Sequence, residues 1–126
     1  SDFEWVFSSN NEGTEPLQRI KMKYITAKSR ARILYLDELN VEEILSKPKF
    51  YRVPASPKST AGLVYYNHSL IPCYWMEAKI NPNCAILLKM HGGSVYGLLA
   101  EEVGEEEIET DTISVVTEGI WEKKID

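Results

Sequence analysis

The chain has 126 residues, a formal net charge of -5, 44% hydrophobic residues and 26% charged residues. This length fits one compact domain with its own core, expected to span residues 1–126. The composition is typical of a soluble globular protein rather than a disordered or fibrous one. The negative charge weighs against nucleic-acid binding, because phosphate contacts need a clustered basic face.

Membrane insertion and secretion are also disfavoured. The sequence has no uninterrupted apolar run of about 18 residues, the length that a spanning helix needs. It also lacks a basic start followed by a hydrophobic stretch. These observations predict a cytoplasmic protein without membrane insertion. Cys73 and Cys84 are too few and too poorly spaced for a disulfide framework. We therefore predict that both are buried, reduced thiols.

Reactive groups are hard to find in the sequence. His68 precedes Cys73, and a thiol nucleophile needs such a base, but Cys73 lies in an apolar run where an inert thiol is the commoner state. Together with Cys84 and His91, these residues match no zinc spacing. No opposed carboxylate pair, phosphate loop or dinucleotide fingerprint occurs. The sequence predicts no catalytic residue, no metal site and no cofactor.

The first elements are predicted to be strands. Residues 3–7 (FEWVF) are an apolar run typical of an edge strand, and residues 8–16 have turn chemistry throughout. Apolar and basic side chains alternate over residues 20–25, which is the period of a half-buried strand. A charged turn at residues 27–32 leads to an apolar run at residues 33–36, which is expected to pair back with the preceding strand.

A short helix is predicted at residues 41–46. Asn40 precedes this segment as an N-cap residue, and Glu43 stands three residues on, where its carboxylate can reach back to the cap. Pro48 ends the helix. Repeated short strands around a single helix are typical of a β-barrel.

Four strands and two turns are predicted in the next part of the chain. Prolines keep residues 51–57 extended. Residues 62–66 (GLVYY) and 70–75 (LIPCYW) flank a polar trio and predict a hairpin. Residues 84–90 and 94–99 flank a second turn, whose paired glycines supply the positive φ that a tight turn requires.

An acidic run follows. Seven carboxylates and no basic side chain fall within residues 101–111. Such a run predicts a mobile acidic connection. The alternative is an electrostatic contact, either with a basic partner surface or with the basic strand near residues 19–32. A final short strand is predicted at residues 113–116.

Several landmarks occur in a characteristic order: VEEIL at residues 41–45, VPASP at 53–57, GLVYYNHSLIP at 62–72 and YGLLAEEV at 96–103. This order resembles the CheW family of chemotaxis coupling proteins over roughly residues 20–103. The family's Arg-Gly pair in the hairpin falls on Asn67 and His68, and its Val-Asp pair falls on Ala100 and Glu101. Family members continue further at the C-terminus and return to the first barrel. We expect that closure to be missing or replaced, with residues 3–7 as a candidate for the vacant edge.

The resemblance implies a mainly β fold of two small SH3-like, five-stranded β-barrel subdomains with one short helix. It also implies a non-enzymatic adaptor that couples chemoreceptors to a CheA-type histidine kinase. The expected partners are the kinase's CheW-like regulatory domain and the receptor's cytoplasmic tip, which the family receives in the groove between its barrels. The expected partner contacts are Val41, Gly62, Asn67, His68, Ile86 and Tyr96. Asparagine lacks the rigid fork of arginine donors, so we expect weakened or altered receptor recognition.

Plainer interpretations stay open. Val41 can be a core contact, and Gly62 can be a backbone requirement. A second functional hypothesis is a small β-barrel that binds a ligand or regulates an enzyme outside chemotaxis, because a fold alone does not fix function. That hypothesis predicts an apolar pocket lined by Tyr65, Tyr74 and Trp75.

Overall fold

The computed structural model describes residues 20–49, 51–52, 60–78 and 80–125. The predicted strand at residues 3–7, the loop at 8–16 and the proline segment at 53–57 lie outside these ranges. Within them the chain forms ten strands: β1 (Lys21–Lys28), β2 (Ile33–Leu36), β3 (Val41–Ser46), β4 (Thr60–Tyr66), β5 (Ser69–Trp75), β6 (Cys84–Lys89), β7 (Val95–Ala100), β8 (Glu102–Glu109), β9 (Ile113–Thr117) and β10 (Ile120–Lys123).

The strands form two five-stranded sheets. One has the strand order β8-β1-β2-β10-β9; we call it the split sheet, because its strands come from two separate stretches of the chain. The other has the order β3-β6-β7-β5-β4 and comes from the continuous stretch between them; we call it the inserted sheet. Neighbouring strands are antiparallel except β5 and β7, which pair in parallel. The prediction of a mainly β protein built from two five-stranded units is confirmed.

The two sheets pack against each other through a shared core. Strand β6 is buried on both faces, because Ile86 and Leu88 point into this core while Ala85 and Leu87 point to the opposite side. The shared core consists of Ile25, Ala27, Leu34, Leu36, Met76, Ile80, Cys84, Ile86, Leu88, Leu98, Ala100 and Ile120.

Each sheet also has a smaller core on its other face. The core of the inserted sheet is aliphatic, with Val64, Ile71, Cys73, Ala85, Leu87 and Leu99. The core of the split sheet is largely aromatic. Its Tyr24 ring lies 6.2 Å from that of Tyr35 and 5.6 Å from that of Trp121. The smaller cores of the two sheets therefore differ in the type of side chain that they bury.

Glycine permits close packing in both smaller cores. A Cβ atom at Gly97 would lie 2.5 Å from the Cys73 sulfur in the inserted sheet. A Cβ atom at Gly104 would lie 3.2 Å from the Thr26 hydroxyl oxygen in the split sheet. Thr26 is 1% exposed, and its hydroxyl has no hydrogen-bond partner among the described residues. The inserted sheet is the more tightly packed of the two at these positions.

Arg32 links the two sheets. Its Nε and Nη2 donate to the Glu122 carboxylate of β10 at 2.8 and 3.2 Å. Its Nη1 donates to the carbonyl oxygen of Met76, which follows β5, at 2.8 Å. The Ser29 hydroxyl donates to the Glu77 carboxylate beside this group. The hydrogen bond from Arg32 holds the pKa of Glu122 below its usual value. These contacts tie the β1–β2 turn to the segment that follows β5.

The predicted helix at residues 41–46 is wrong, because this segment is strand β3. A single 3-10 turn at Glu38–Asn40 precedes it, and the Asp37 side chain caps that turn by accepting the Leu39 N–H at 2.9 Å. Asn40, the predicted N-cap residue, is instead the last residue of this 3-10 turn, and its side-chain amide donates to the Lys89 carbonyl oxygen at 3.1 Å. Strand β3 itself has a β-bulge between Val41 and Glu43.

The acidic run is a strand rather than a mobile connection. Strand β8 pairs with β1 along its full length, so its backbone groups are hydrogen bonded. The Lys23 Nζ lies 3.8 Å from the Glu105 carboxylate. The alternative prediction, contact with the basic strand, is therefore correct. Strand β8 is the outermost described strand of its sheet. Edge strands often carry charged side chains, which hinder pairing with other chains, so a charged run can be a strand as well as a mobile connection.

The remaining strand predictions are largely confirmed. Strands β1 and β2 pair as expected, although β1 continues into the predicted charged turn. Asn67 and His68 join β4 to β5 with φ of 51° and 66°, as a two-residue hairpin turn requires. Gly93 has a φ of 89° in the β6–β7 turn. Strand β10 was not predicted. No helix in the described part of the chain is long and apolar enough to cross a membrane.

Candidate functional site

The shared-core face of the inserted sheet is covered at its centre and open at its sides. Register places Val41 beside Leu88 and Leu88 beside Tyr96. The central Leu88 is fully buried, whereas Val41 and Tyr96 are only half-buried. Ile44, on the outer strand β3, is 40% exposed. The sheet therefore presents apolar side chains both along β3 and on the side of β5.

A groove of about 480 Å³ lies on the β5 side, between the inserted sheet and the β9–β10 turn of the split sheet. The Tyr74 and Tyr96 rings meet edge to face, with centroids 5.8 Å apart and planes at 72°. Burial, followed by the nearby charge of Glu118 and by Tyr74, raises the pKa of Tyr96. The phenol is therefore neutral at physiological pH. The groove is lined by Pro72, Tyr74, Met90, Ser94, Val95, Tyr96, Thr117 and Glu118.

The apolar surface continues from this groove onto the β4–β5 hairpin. Leu63 pairs with Pro72 and Tyr65 pairs with Leu70, so these four side chains share one side of the hairpin. We call them the hairpin face. Tyr65 is 58% exposed and Leu70 is 56% exposed. Adjacent exposed apolar side chains make the hairpin face a candidate interaction surface.

Two of the predicted contact residues lie at the tip of this hairpin. Asn67 and His68 are both exposed, and the His68 Nδ1 lies 3.5 Å from the Tyr65 hydroxyl. Tyr96 lines the groove, whereas Val41 lies on the β3 side. The structure thus brings the hairpin tip, the hairpin face and the Tyr96 groove onto one continuous surface, and places Val41 apart from them.

Gly62 and Ile86 have internal positions. Gly62 is buried with a φ of 152°, and a Cβ there would lie 2.8 Å from the Tyr51 carbonyl oxygen. That carbonyl accepts the Leu63 N–H at 2.9 Å, so the glycine allows Tyr51 to pair with β4. Ile86 is 0% exposed in the shared core. Neither side chain position offers a surface to a partner, so any effect on binding acts through packing.

The cysteines have no reactive environment. Cys73 is fully buried, its sulfur donates to the Ile71 carbonyl at 3.7 Å, and burial raises its pKa to about 11. Burial also raises the pKa of Cys84. Both are free thiols, as predicted. His68 stands exposed at the hairpin tip, and no group of three or more potential metal ligands occurs among the described residues.

No protein-family model matches the chain, and no curated protein matches it. Among solved structures, it is similar to the scaffolding protein TtCheW from Thermoanaerobacter tengcongensis, with a TM-score of 0.64 and 18% sequence identity. The similarity covers 75% of this chain and 70% of that chain. The chain has the CheW-like fold. The resemblance predicted from the sequence is thereby confirmed at the level of the fold.

The two residue pairs that differ from the family pattern, Asn67-His68 and Ala100-Glu101, lie in different environments. Asn67 occupies an exposed turn position with positive φ, which asparagine tolerates well. Its difference from arginine removes a charge from the surface. Ala100 is fully buried in the shared core, and Glu101 accepts the Asn81 N–H at 3.2 Å. The second replacement therefore affects internal packing and a local loop contact.

The pocket predicted for Tyr65, Tyr74 and Trp75 does not coincide with this groove of the described residues. Of the three, only Tyr74 lines the groove, because Trp75 packs against the cores and Tyr65 lies on the hairpin face. Glu118 was missed, since nothing local connects it with Tyr96. The available signal was its position before Gly119, which has a φ of 78° and marks a turn between two apolar strands.

Proposed function

We propose that this chain is a non-enzymatic cytoplasmic adaptor that couples a chemoreceptor to a CheA-type histidine kinase. The observation that carries the proposal is its structural similarity to a scaffolding protein over 75% of the chain. An adaptor needs surfaces that stay accessible after folding, and the hairpin face and the β3 side both supply exposed apolar side chains. The kinase's CheW-like regulatory domain is the proposed primary partner.

A binding role also suits the chemistry of the exposed surfaces. The groove is lined by tyrosine, proline, methionine and valine side chains, with the Glu118 carboxylate at the rim. The most nucleophilic side chain nearby, Cys73, is buried with its pKa raised to about 11, so it remains a neutral thiol at physiological pH. These groups can form contacts, but they do not form an acid–base pair for catalysis.

The proposed receptor contact differs from that of the family. Asn67 is neutral at the position where the family has an arginine, so it cannot form a bidentate ion pair with a receptor carboxylate. Val41 and Ile44 remain available for apolar contacts on the β3 side. We therefore expect weaker or altered recognition of the receptor tip, while kinase binding can persist through the apolar surfaces.

Calorimetric titration with the regulatory domain of a CheA-type kinase from the same genome tests the adaptor proposal. We expect a Kd of about 10 μM or tighter, which corresponds to about 7 kcal/mol of binding free energy. Leu70→Ser should weaken binding about tenfold if the hairpin face takes part, because central apolar contacts contribute most of such affinity. Val115→Ser, which alters a 64% exposed valine on β9, is the matched control. No binding heat between two folded proteins would contradict the proposal.

The groove favours a second candidate function, binding of a small molecule. Its volume of about 480 Å³ is within the range of small-molecule sites. Native mass spectrometry of the purified protein would reveal a retained ligand as a defined added mass. A ligand lost in Tyr74→Ala, together with no kinase binding, would favour this function over the adaptor role.

A further inference from the structure

Glu118 is held at the rim of the groove by its surroundings. It lies in the β9–β10 turn, where Gly119 has a φ of 78° and accepts the Asp37 N–H at 3.4 Å. The His91 N–H donates to the Glu118 Oε2 at 3.4 Å. The turn is therefore attached to both the segment before β3 and the β6–β7 turn. These contacts hold the carboxylate beside the tyrosines.

No lysine, arginine or histidine side chain among the described residues lies within 4.0 Å of Glu118. The Glu118 charge also acts on Tyr96: burial is the largest cause of the raised pKa of Tyr96, and Glu118 is the second. The site thus combines the negative charge of Glu118 with two tyrosine rings, whose centroids lie 5.8 Å from each other. A carboxylate and an aromatic ring both attract a cation.

The rest of the groove fits the aliphatic stem of a basic side chain. Pro72 and Met90 line it and are half-buried. Lysine and arginine bury their methylene groups on apolar surface while the charged end reaches a polar partner. The hairpin face continues from Pro72, so residues flanking the basic side chain would meet Leu63 and Leu70.

We propose that this groove binds a lysine or arginine side chain of a partner protein, presented between apolar residues. The stem packs on Pro72 and Met90, and the cation lies between the tyrosine rings and Glu118. The proposal rests on the adaptor function and specifies which kind of side chain the partner presents to the groove. The partner contact has the opposite polarity to the family's hairpin arginine, because here the adaptor supplies the anion.

Two short peptides test this site directly. Both carry apolar residues around a central position that is arginine in one and norleucine, a neutral side chain of similar length, in the other. We expect the arginine peptide to bind about tenfold more tightly, a difference typical of a partly desolvated cation beside aromatic rings and a carboxylate. NMR should show the largest shifts at the ring protons of Tyr74 and Tyr96.

Glu118→Gln is the decisive variant. It keeps the shape of the side chain and should reduce the arginine preference to about twofold or less, because the aromatic contribution alone remains. Glu107→Gln removes the same charge from the exposed edge strand β8 and should leave the preference unchanged. Equal binding of both peptides to the wild type, or a preference that stays near about tenfold in Glu118→Gln, would overturn the proposal.

Further measurements separate this proposal from its alternatives. Tyr96→Phe keeps the ring and should retain the full arginine preference, whereas Tyr96→Leu should reduce the preference about twofold while kinase binding by the hairpin face persists. Concentration-dependent dimerisation that Glu118→Gln abolishes would identify a second copy as the occupant and overturn the claim of a different partner. Kinase binding without the peptide preference would defeat this inference alone. Peptide preference without kinase binding would instead defeat the adaptor function.

Discussion

The inserted sheet and the split sheet have equal numbers of strands but unlike interiors. The inserted sheet has an aliphatic core in which Gly97 lies against Cys73, and it carries the tyrosines of the groove. The split sheet has an aromatic core, a buried Thr26 hydroxyl without a partner, and an acidic edge. The candidate surface thus lies mainly on the sheet whose glycine makes the closer approach. Side chains on a firmly packed sheet are held in position before a partner binds.

The largest expected difference between the sheets concerns their glycines. Gly97→Ala should lower the free energy of unfolding by about 2–3 kcal/mol, because overpacking a filled core forces its neighbours to shift. Gly104→Ala should lower it by about 0.5–1 kcal/mol, since the approach to Thr26 is less severe. Urea denaturation would measure both. Equal losses would show that the sheets do not differ in packing as described, and Cys73→Ala should partly rescue Gly97→Ala.

The next effect tests whether the sheets unfold together. Arg32→Met removes the contacts with Glu122 and Met76 and should lower the free energy of unfolding by about 1 kcal/mol, discounted because the Arg32 side chain is 37% exposed. Lys123→Met, on the exposed end of β10, should change it little. A separate unfolding transition for one sheet in the Arg32 variant would show that this link couples them.

The same variant has a predictable pH dependence. Arg32 holds the folded-state pKa of Glu122 below the ordinary value of 4.5. The ion pair's stabilisation is therefore fully present above pH 4.5 and is lost as the pH falls through the lower folded-state pKa. The difference between wild type and Arg32→Met should shrink in that range. The bond to the Met76 carbonyl does not titrate, so part of the difference should remain.

The smallest effect concerns the buried hydroxyl of the split sheet. Thr26→Val should raise the free energy of unfolding by about 0.5–1 kcal/mol, because it removes an unpaired polar group with little change of shape. Thr112→Val should have the opposite sign, since the Thr112 hydroxyl donates to the Glu109 carbonyl at 2.7 Å. Destabilisation by Thr26→Val would indicate that its hydroxyl has a partner.

Much of the fold could be predicted from local patterns. Polar and glycine-rich turns between apolar runs identified both hairpins of the inserted sheet, since loop chemistry sets their register. Strand β3 was missed because Asn40 and Glu43 match a helix-capping pattern, whereas the segment pairs with the distant β6. Strand β8 was missed because its carboxylates mask the period of two, and its strand character depends on the distant β1.

The candidate site was less predictable than the fold. Of the predicted contact residues, Asn67, His68 and Tyr96 lie on the candidate surface, whereas Ile86 is buried because strand β6 is covered on both faces. The uninterrupted apolar run at residues 84–88 is the local pattern of a strand buried on both faces, but the contact prediction did not use it. Glu118 approaches Tyr96 only because the split sheet packs on the inserted sheet. Contacts between separate sheets leave no local pattern in the sequence.

The insertion of one sheet within the other also sets an order for biosynthesis. Of the described strands, β1 and β2 leave the ribosome before the others, and their neighbours β8 and β10 are made only after the whole inserted sheet. Until then, no other described strand can pair with the edges of the nascent β1–β2 hairpin, and such unpaired edges are prone to pairing with other chains. Exposed lysines at Lys21 and Lys23 carry like charge along β1. The residues that later meet the acidic strand thus discourage association between unfinished chains.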